Sequence, residues 1–123
     1  MGAYEYQDTI QPTAPDLFGG LNEFHYYKLE ERVVVKVWVE NRGTKAGEFK
    51  AAFYLSNNGV TLAQFIGEST LKRGLKAGQT SIVSSTYTSE SSLSWKYFIA
   101  VIDSGDQINE MVETNNRVIF RIP

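Results

Sequence analysis

The chain has no cysteine, one histidine, three prolines and no long apolar run among its 123 residues. Without cysteine, neither a disulfide framework nor a thiolate metal site can hold the fold. A single histidine, His25, leaves little for zinc, which is usually bound by several His or Cys ligands. No stretch approaches the roughly 20 apolar residues needed to span a bilayer as a helix. Cationic excess is also missing. Twelve scattered Lys and Arg stand against fourteen Asp and Glu, for a net charge of −2, so there is no basic stripe of the kind that marks nucleic-acid binding. No G-x-G-x-x-G, P-loop or G-x-S-x-G occurs, which removes the usual footholds for nucleotides and for a serine nucleophile. The opening "MGAYEYQDTIQPTAP" has no charged start followed by an apolar segment, so no signal peptide is read in it. The protein is then either cytosolic or a piece of a longer exported chain.

What is present is period two. In "ERVVVKVWVEN" (31–41), Val33, Val35, Val37 and Val39 fall on one face. Arg32, Val34, Lys36, Trp38 and Glu40 fall on the other, the pattern of a half-buried strand. "EFKAAFYLS" repeats it, with Phe49, Ala51, Phe53 and Leu55 alternating against Lys50, Ala52, Tyr54 and Ser56. "NNG" (57–59) signals a tight turn, because Asn-Gly accepts the positive φ angles that hairpins need. "TLAQFIGEST" reads as a shorter strand, and "TSIVSSTYTS" as a polar one near a sheet edge. "WKYFIAVID" is apolar on both faces and belongs at a sheet centre. "RVIFRI" closes the chain, and "DLFGGLNEFHYYK" opens it as a strand bent at Gly19-Gly20. No segment sustains a 3.6-residue period. About seven short strands at this spacing predict an all-β antiparallel sandwich over 15–123, with residues 1–14 as a linker or loose arm.

"DSGDQINEMVETNN" (103–116) contains no Lys or Arg and four carboxylates. The preferred reading is a structured connection, since Asp and Asn side chains bond nearby backbone N–H groups and tolerate left-handed geometry. Ile108, with Met111 or Val112, would pin it to the core. A calcium site built from Asp103, Asp106, Glu110 and Glu113 is the second reading, because calcium takes six to eight oxygens. The EF-hand spacing is absent, with glycine third at Gly105, so no metal is favoured. Paired catalytic carboxylates, as in glycosidases, have no evident cleft. His25, beside Tyr26 and Tyr27, reads as a surface or half-buried residue, and the serines at 84, 85, 89, 91, 92 and 94 as a polar loop. "RGT" (42–44) is turn chemistry, with Gly43 supplying backbone freedom.

Sixteen aromatic residues, seven Phe, seven Tyr and two Trp, exceed what one small core needs. Trp38 with Lys36, Glu40 and Tyr54 from the next strand forms a candidate ligand face on which sugar rings could stack. The preferred reading is that Trp38 covers the sheet's outer face or packs against a neighbouring domain. Tyr97 is placed to act as a corner tyrosine, bonding backbone as in immunoglobulin-like folds.

The order of motifs then matters: "PDL", the valine strand ending "ENRGTKAG", "FYLS", "FIG", "LKAGQ" and finally "YFIAVIDSGDQINEMVETNN". This order resembles the CARDB family, a cell-adhesion-related domain of bacterial and archaeal surface proteins, over residues 15–122. Its most specific part is the set Asp103, Glu110, Glu113, Asn115 and Asn116. The resemblance implies an immunoglobulin-like sandwich that serves as a non-catalytic spacer or adhesion module outside the cell, without a cofactor. Its partners would be neighbouring domains and a surface protein or polysaccharide. A carbohydrate-binding module using the aromatic face is the alternative.

Overall fold

The computed structural model describes residues 14–103 and 117–123. They form seven strands: β1 (Leu17–Tyr27), β2 (Arg32–Asn41), β3 (Phe49–Ser56), β4 (Gln64–Leu71), β5 (Thr80–Thr88), β6 (Tyr97–Ile102) and β7 (Arg117–Arg121). β1-β2-β5 make one sheet and β4-β3-β6-β7 the other, with antiparallel neighbours throughout. This is an antiparallel β-sandwich, as the alternation predicts, and it is consistent with the immunoglobulin-like form that the resemblance implies. The arm expected over 1–14 lies, apart from Ala14, outside the described residues.

Alternation decides which face each sheet buries. Val33, Val35, Val37 and Val39 are fully buried, each worth roughly 1.5–3 kcal/mol of transfer from water. They meet Phe49, Phe53, Phe98, Ile102 and Val118 of the facing sheet in one core. A run of rings crosses that core. Phe53 and Phe98 lie 5.7 Å apart, Phe98 and Phe120 5.1 Å, and Phe120 meets Phe24 of the opposite sheet edge-on at 4.8 Å. β5 is an edge strand and β6 an interior one. On the side of β6 away from the core, Ile99 is still fully buried, which accounts for a strand apolar on both faces.

The bend expected at Gly19-Gly20 is not there. β1 changes register between Leu21 and Glu23 instead, a one-residue bulge. The two glycines serve close approach. A Cβ on Gly20 would collide with the Trp38 ring, and one on Gly19 would lie 2.8 Å from Val118 Cγ2. The "NNG" turn forms with Gly59 at φ 79°, but its connection is longer than a two-residue hairpin. Ser56 Oγ accepts from Asn58 N and Gly59 N, and Asn58 Oδ1 accepts from Val60 N and Thr61 N.

Leu17, at the start of β1, pairs with Asn41 at the end of β2. Arg121, at the end of β7, pairs with Tyr97 at the start of β6. The domain is therefore entered at one end of the sandwich and left at the other.

Candidate functional site

Lys36, Trp38 and Glu40 project from the outer face of the three-stranded sheet, beside Phe18, Gly20, Glu23 and His25 of β1. Glu23 accepts from His25 Nε2 at 2.8 Å and stands 3.9 Å from Lys36 Nζ. The His25 hydrogen bond first, and Lys36 second, hold the Glu23 carboxyl below its usual range. Arg42 pairs with Glu40 at 2.8 Å and lies 3.9 Å above the Phe18 ring. His25 is exposed beside Tyr27, and its partner is Glu23 rather than a serine, so no Ser-His pair is assembled among the described residues.

Tyr54 does not join this face. β3 belongs to the other sheet, and the Tyr54 ring meets Phe65 edge-on at 5.6 Å on that sheet's outer side. The expectation failed because the connection after β2 crosses between sheets, so strands adjacent in sequence are not adjacent in space. Trp38 itself lies over Gly20, its cross-strand partner, covering backbone that has no side chain of its own. Its partner on β5, Ile82, is an exposed apolar residue.

Asp103 directly follows β6, is buried, and has φ 58°, a left-handed conformation that Asp tolerates better than most residues. Asp106, Glu110, Glu113, Asn115 and Asn116 lie outside the described residues, as do Ile108, Met111 and Val112. Among the described residues no three His, Cys, Asp or Glu side chains gather as a metal would require. Tyr97 packs its ring on Gly59, where an added Cβ would be 3.0 Å away. Among the described residues the tyrosine hydroxyls that tie distant segments together are those of Tyr26 and Tyr87.

Two polar centres set the ends of the sandwich, and neither was singled out from the sequence. Asn41 is fully buried. Its Oδ1 accepts from Asp16 N at 3.1 Å and Gly43 N at 3.0 Å. Its Nδ2 donates to Thr44 O at 2.6 Å and Leu75 O at 3.1 Å. One side chain thus fastens the start of β1, the β2–β3 connection and the β4–β5 connection. The only signal was an Asn at a strand end two residues before Gly43, a common turn composition.

At the other end stands Glu31, with φ 48°. Its carboxylate accepts from Leu93 N at 2.7 Å and from Tyr26 OH at 2.7 Å, and Tyr26 also contacts Ser94 Oγ at 3.1 Å. The Leu93 N–H first and the Tyr26 hydroxyl second lower the Glu31 pKa, against a smaller opposing effect of burial. Burial pushes the Tyr26 hydroxyl up, so it remains a donor. No local sequence signal marks a bond across sixty-two residues.

Comparison with known proteins places this geometry. The family model CARDB matches residues 15–119. The crystal structure of the CARDB domain of the PF1109 protein from Pyrococcus furiosus, in complex with di-metal ions, superposes with a TM-score of 0.73. The two are 16% identical, over 98% of this chain and 97% of that one. The solution NMR structure of the same domain gives 0.68 at 18% identity, over 92% and 95%. A β-glucosidase from Listeria innocua in complex with glucose gives 0.60 at 16% identity, over 88% of this chain but 16% of the enzyme. That likeness is of one sandwich within a much longer chain, and concerns the fold alone. No curated protein matches.

Proposed function

The chain belongs to the CARDB family, a family of non-catalytic modules, and from that premise we propose that it is a spacer and adhesion domain of a longer bacterial or archaeal protein, displayed outside the cell. The observation that carries the reading is the placing of entry and exit. β1 starts beside the end of β2, β7 stops beside the start of β6, and these are opposite ends of the sandwich. A module threaded in this way adds its long axis to a chain instead of folding the chain back on itself. β1 has eleven residues, which at about 3.3 Å per residue sets that axis at roughly 35 Å. Both ends are closed by hydrogen-bonded side chains, Asn41 at one and Glu31 at the other, as a rigid spacer needs. Its partners are the neighbouring domains of the same chain and a surface protein or polysaccharide that it meets.

Small-angle scattering tests the spacer. Two copies joined in series through their own ends should have a maximum dimension about 35 Å or more beyond that of one copy. A pair no longer than one module would mean that the domains fold back, and the spacer reading would be lost.

A further inference from the structure

The end of the sandwich fastened by Asn41 carries a recess of about 470 Å³, lined by Lys45, Arg73, Gly74, Lys76 and Gln79. Backbone bonds between two loops build it. Ala46 and Leu75 exchange N–H···O bonds at 2.8 and 3.0 Å, and Gly78 N donates to Asn41 O at 2.7 Å. Gly74, at φ 64°, presses against the neighbouring loop so closely that an added Cβ would collide with Ala46 O. Only glycine permits that approach. The Asn41 amide, bonded to both loops, fixes the recess from beneath.

Its side-chain lining consists of donors. Lys45, Arg73 and Lys76 carry positive charge, and none of them is in a salt bridge with a described residue. Elsewhere on the molecule Arg32, Lys36, Arg42 and Lys50 each face a carboxylate, and Arg121 lies over the Trp95 ring. Gln79 Oε1 already accepts from Lys76 N at 2.8 Å, which leaves its Nε2 as a further donor. Among the described residues the three cations of this recess have no carboxylate partner, in a chain of net charge −2.

We propose that this recess binds the acid groups of an anionic polysaccharide, with a uronic-acid carboxylate as the group recognised. Arg73 can offer two parallel N–H bonds to a carboxylate. Lys45 and Lys76 neutralise it, and Gln79 Nε2 donates to it or to a neighbouring hydroxyl. The volume falls within the range of small-ligand sites, suited to a sugar unit or two. A neutral sugar is disfavoured because the lining has no aromatic ring on which to stack. An acidic peptide is disfavoured because the lining has neither an apolar anchor nor an open strand edge, the usual means of holding a peptide. This inference goes beyond the spacer reading and does not rest on it: recognition can hold whether or not the domains extend in series.

The test is titration calorimetry of the whole chain with a galacturonic-acid oligomer, a neutral maltooligosaccharide, a heparin fragment and a glutamate peptide. The galacturonate oligomer should bind and the neutral one should not. Binding should weaken as salt rises to about 1 M, where the screening length is about 3 Å. The exposed triple variant K45Q/R73Q/K76Q, with its melting curve unchanged, should lose affinity by about tenfold or more. Tighter binding of the heparin fragment with the same loss in the variant would support the site and make sulfate its preferred anion. Affinity unchanged by the triple substitution would overturn the proposal, as would equal binding of the glutamate peptide or no binding of either acidic sugar.

Discussion

Asn41 shows how much one side chain can hold when all of its polar atoms are used. Four side-chain bonds converge on it inside the protein, and a buried amide left half-paired would cost more than it contributes. Asn41→Ala should therefore lower unfolding stability by about 2–4 kcal/mol in denaturant titration, out of a typical total of ~5–15 kcal/mol. Asn41→Asp is the sharper variant, because a carboxylate oxygen would then face the carbonyls of Thr44 and Leu75. That repulsion raises the new carboxyl's pKa in the fold, so the variant should recover part of its loss as the pH is lowered. Equal losses at pH 7 and pH 4 would mean that the donors of Asn41 contribute little. On the valine face, Val35→Asp buries an unpaired charge, at a cost of at least several kcal/mol. It should abolish the cooperative thermal transition, whereas Val34→Asp, on the outer face, should leave it in place. An intact transition for Val35→Asp would invert the assignment of faces.

At the scale of elements, Glu31 acts on the connection between β5 and β6, joining it to the β1–β2 turn through Leu93 N and Ser89 N. Its pKa is depressed in the fold. The contribution is then fully present above the unfolded value, about 4.3, and is lost as pH falls through the lower folded value. Glu31→Gln keeps the accepting oxygen and the strained φ but removes the charge. It should melt below the wild type at pH 7, and the gap should close as the pH passes below the ordinary carboxylate range. Taking the difference between the two proteins cancels the parallel titration of Glu23. A gap that ignores pH would leave Glu31 only a steric role. Strands were legible from sequence because burial writes itself locally, as period two in β2 and β3. Sheet membership was not. Nothing within "ENRGTKAGEF" records that the chain changes sheets there, and so Tyr54 was wrongly set beside Trp38. Asn41, Glu31 and the cationic recess were illegible for a related reason: each depends on contacts across tens of residues, whereas glycines 19 and 20 were visible but misread as a bend.

At the scale of the whole molecule, calcium distinguishes a structural role for the acidic stretch after Asp103 from a cation site. The related domain from Pyrococcus furiosus was solved with two metal ions, but at 16% identity that likeness fixes the fold and not the ligands. In this chain Gly105 stands two residues after Asp103, where an EF-hand loop would have an oxygen ligand. Asp103, the described member of the stretch, is buried at the end of β6, where its left-handed backbone suits a turn. A ligand that binds only the folded state stabilises it by RT ln(1 + [L]/Kd), about 2.7 kcal/mol at a hundredfold excess. In a domain of this size 1 kcal/mol moves the melting midpoint by a few degrees. A site with a Kd near 0.1 mM would therefore raise the midpoint by several degrees in about 10 mM calcium. The expected result is no rise beyond that given by sodium chloride at equal ionic strength, for the wild type and for Asp103→Asn alike. A rise specific to calcium, present in the wild type and abolished by Asp103→Asn, would turn the connection into a metal site. It would also make the domain's stiffness depend on calcium, since the ion would then join the end of β6 to the start of β7, at the same end of the sandwich as the Asn41 clamp.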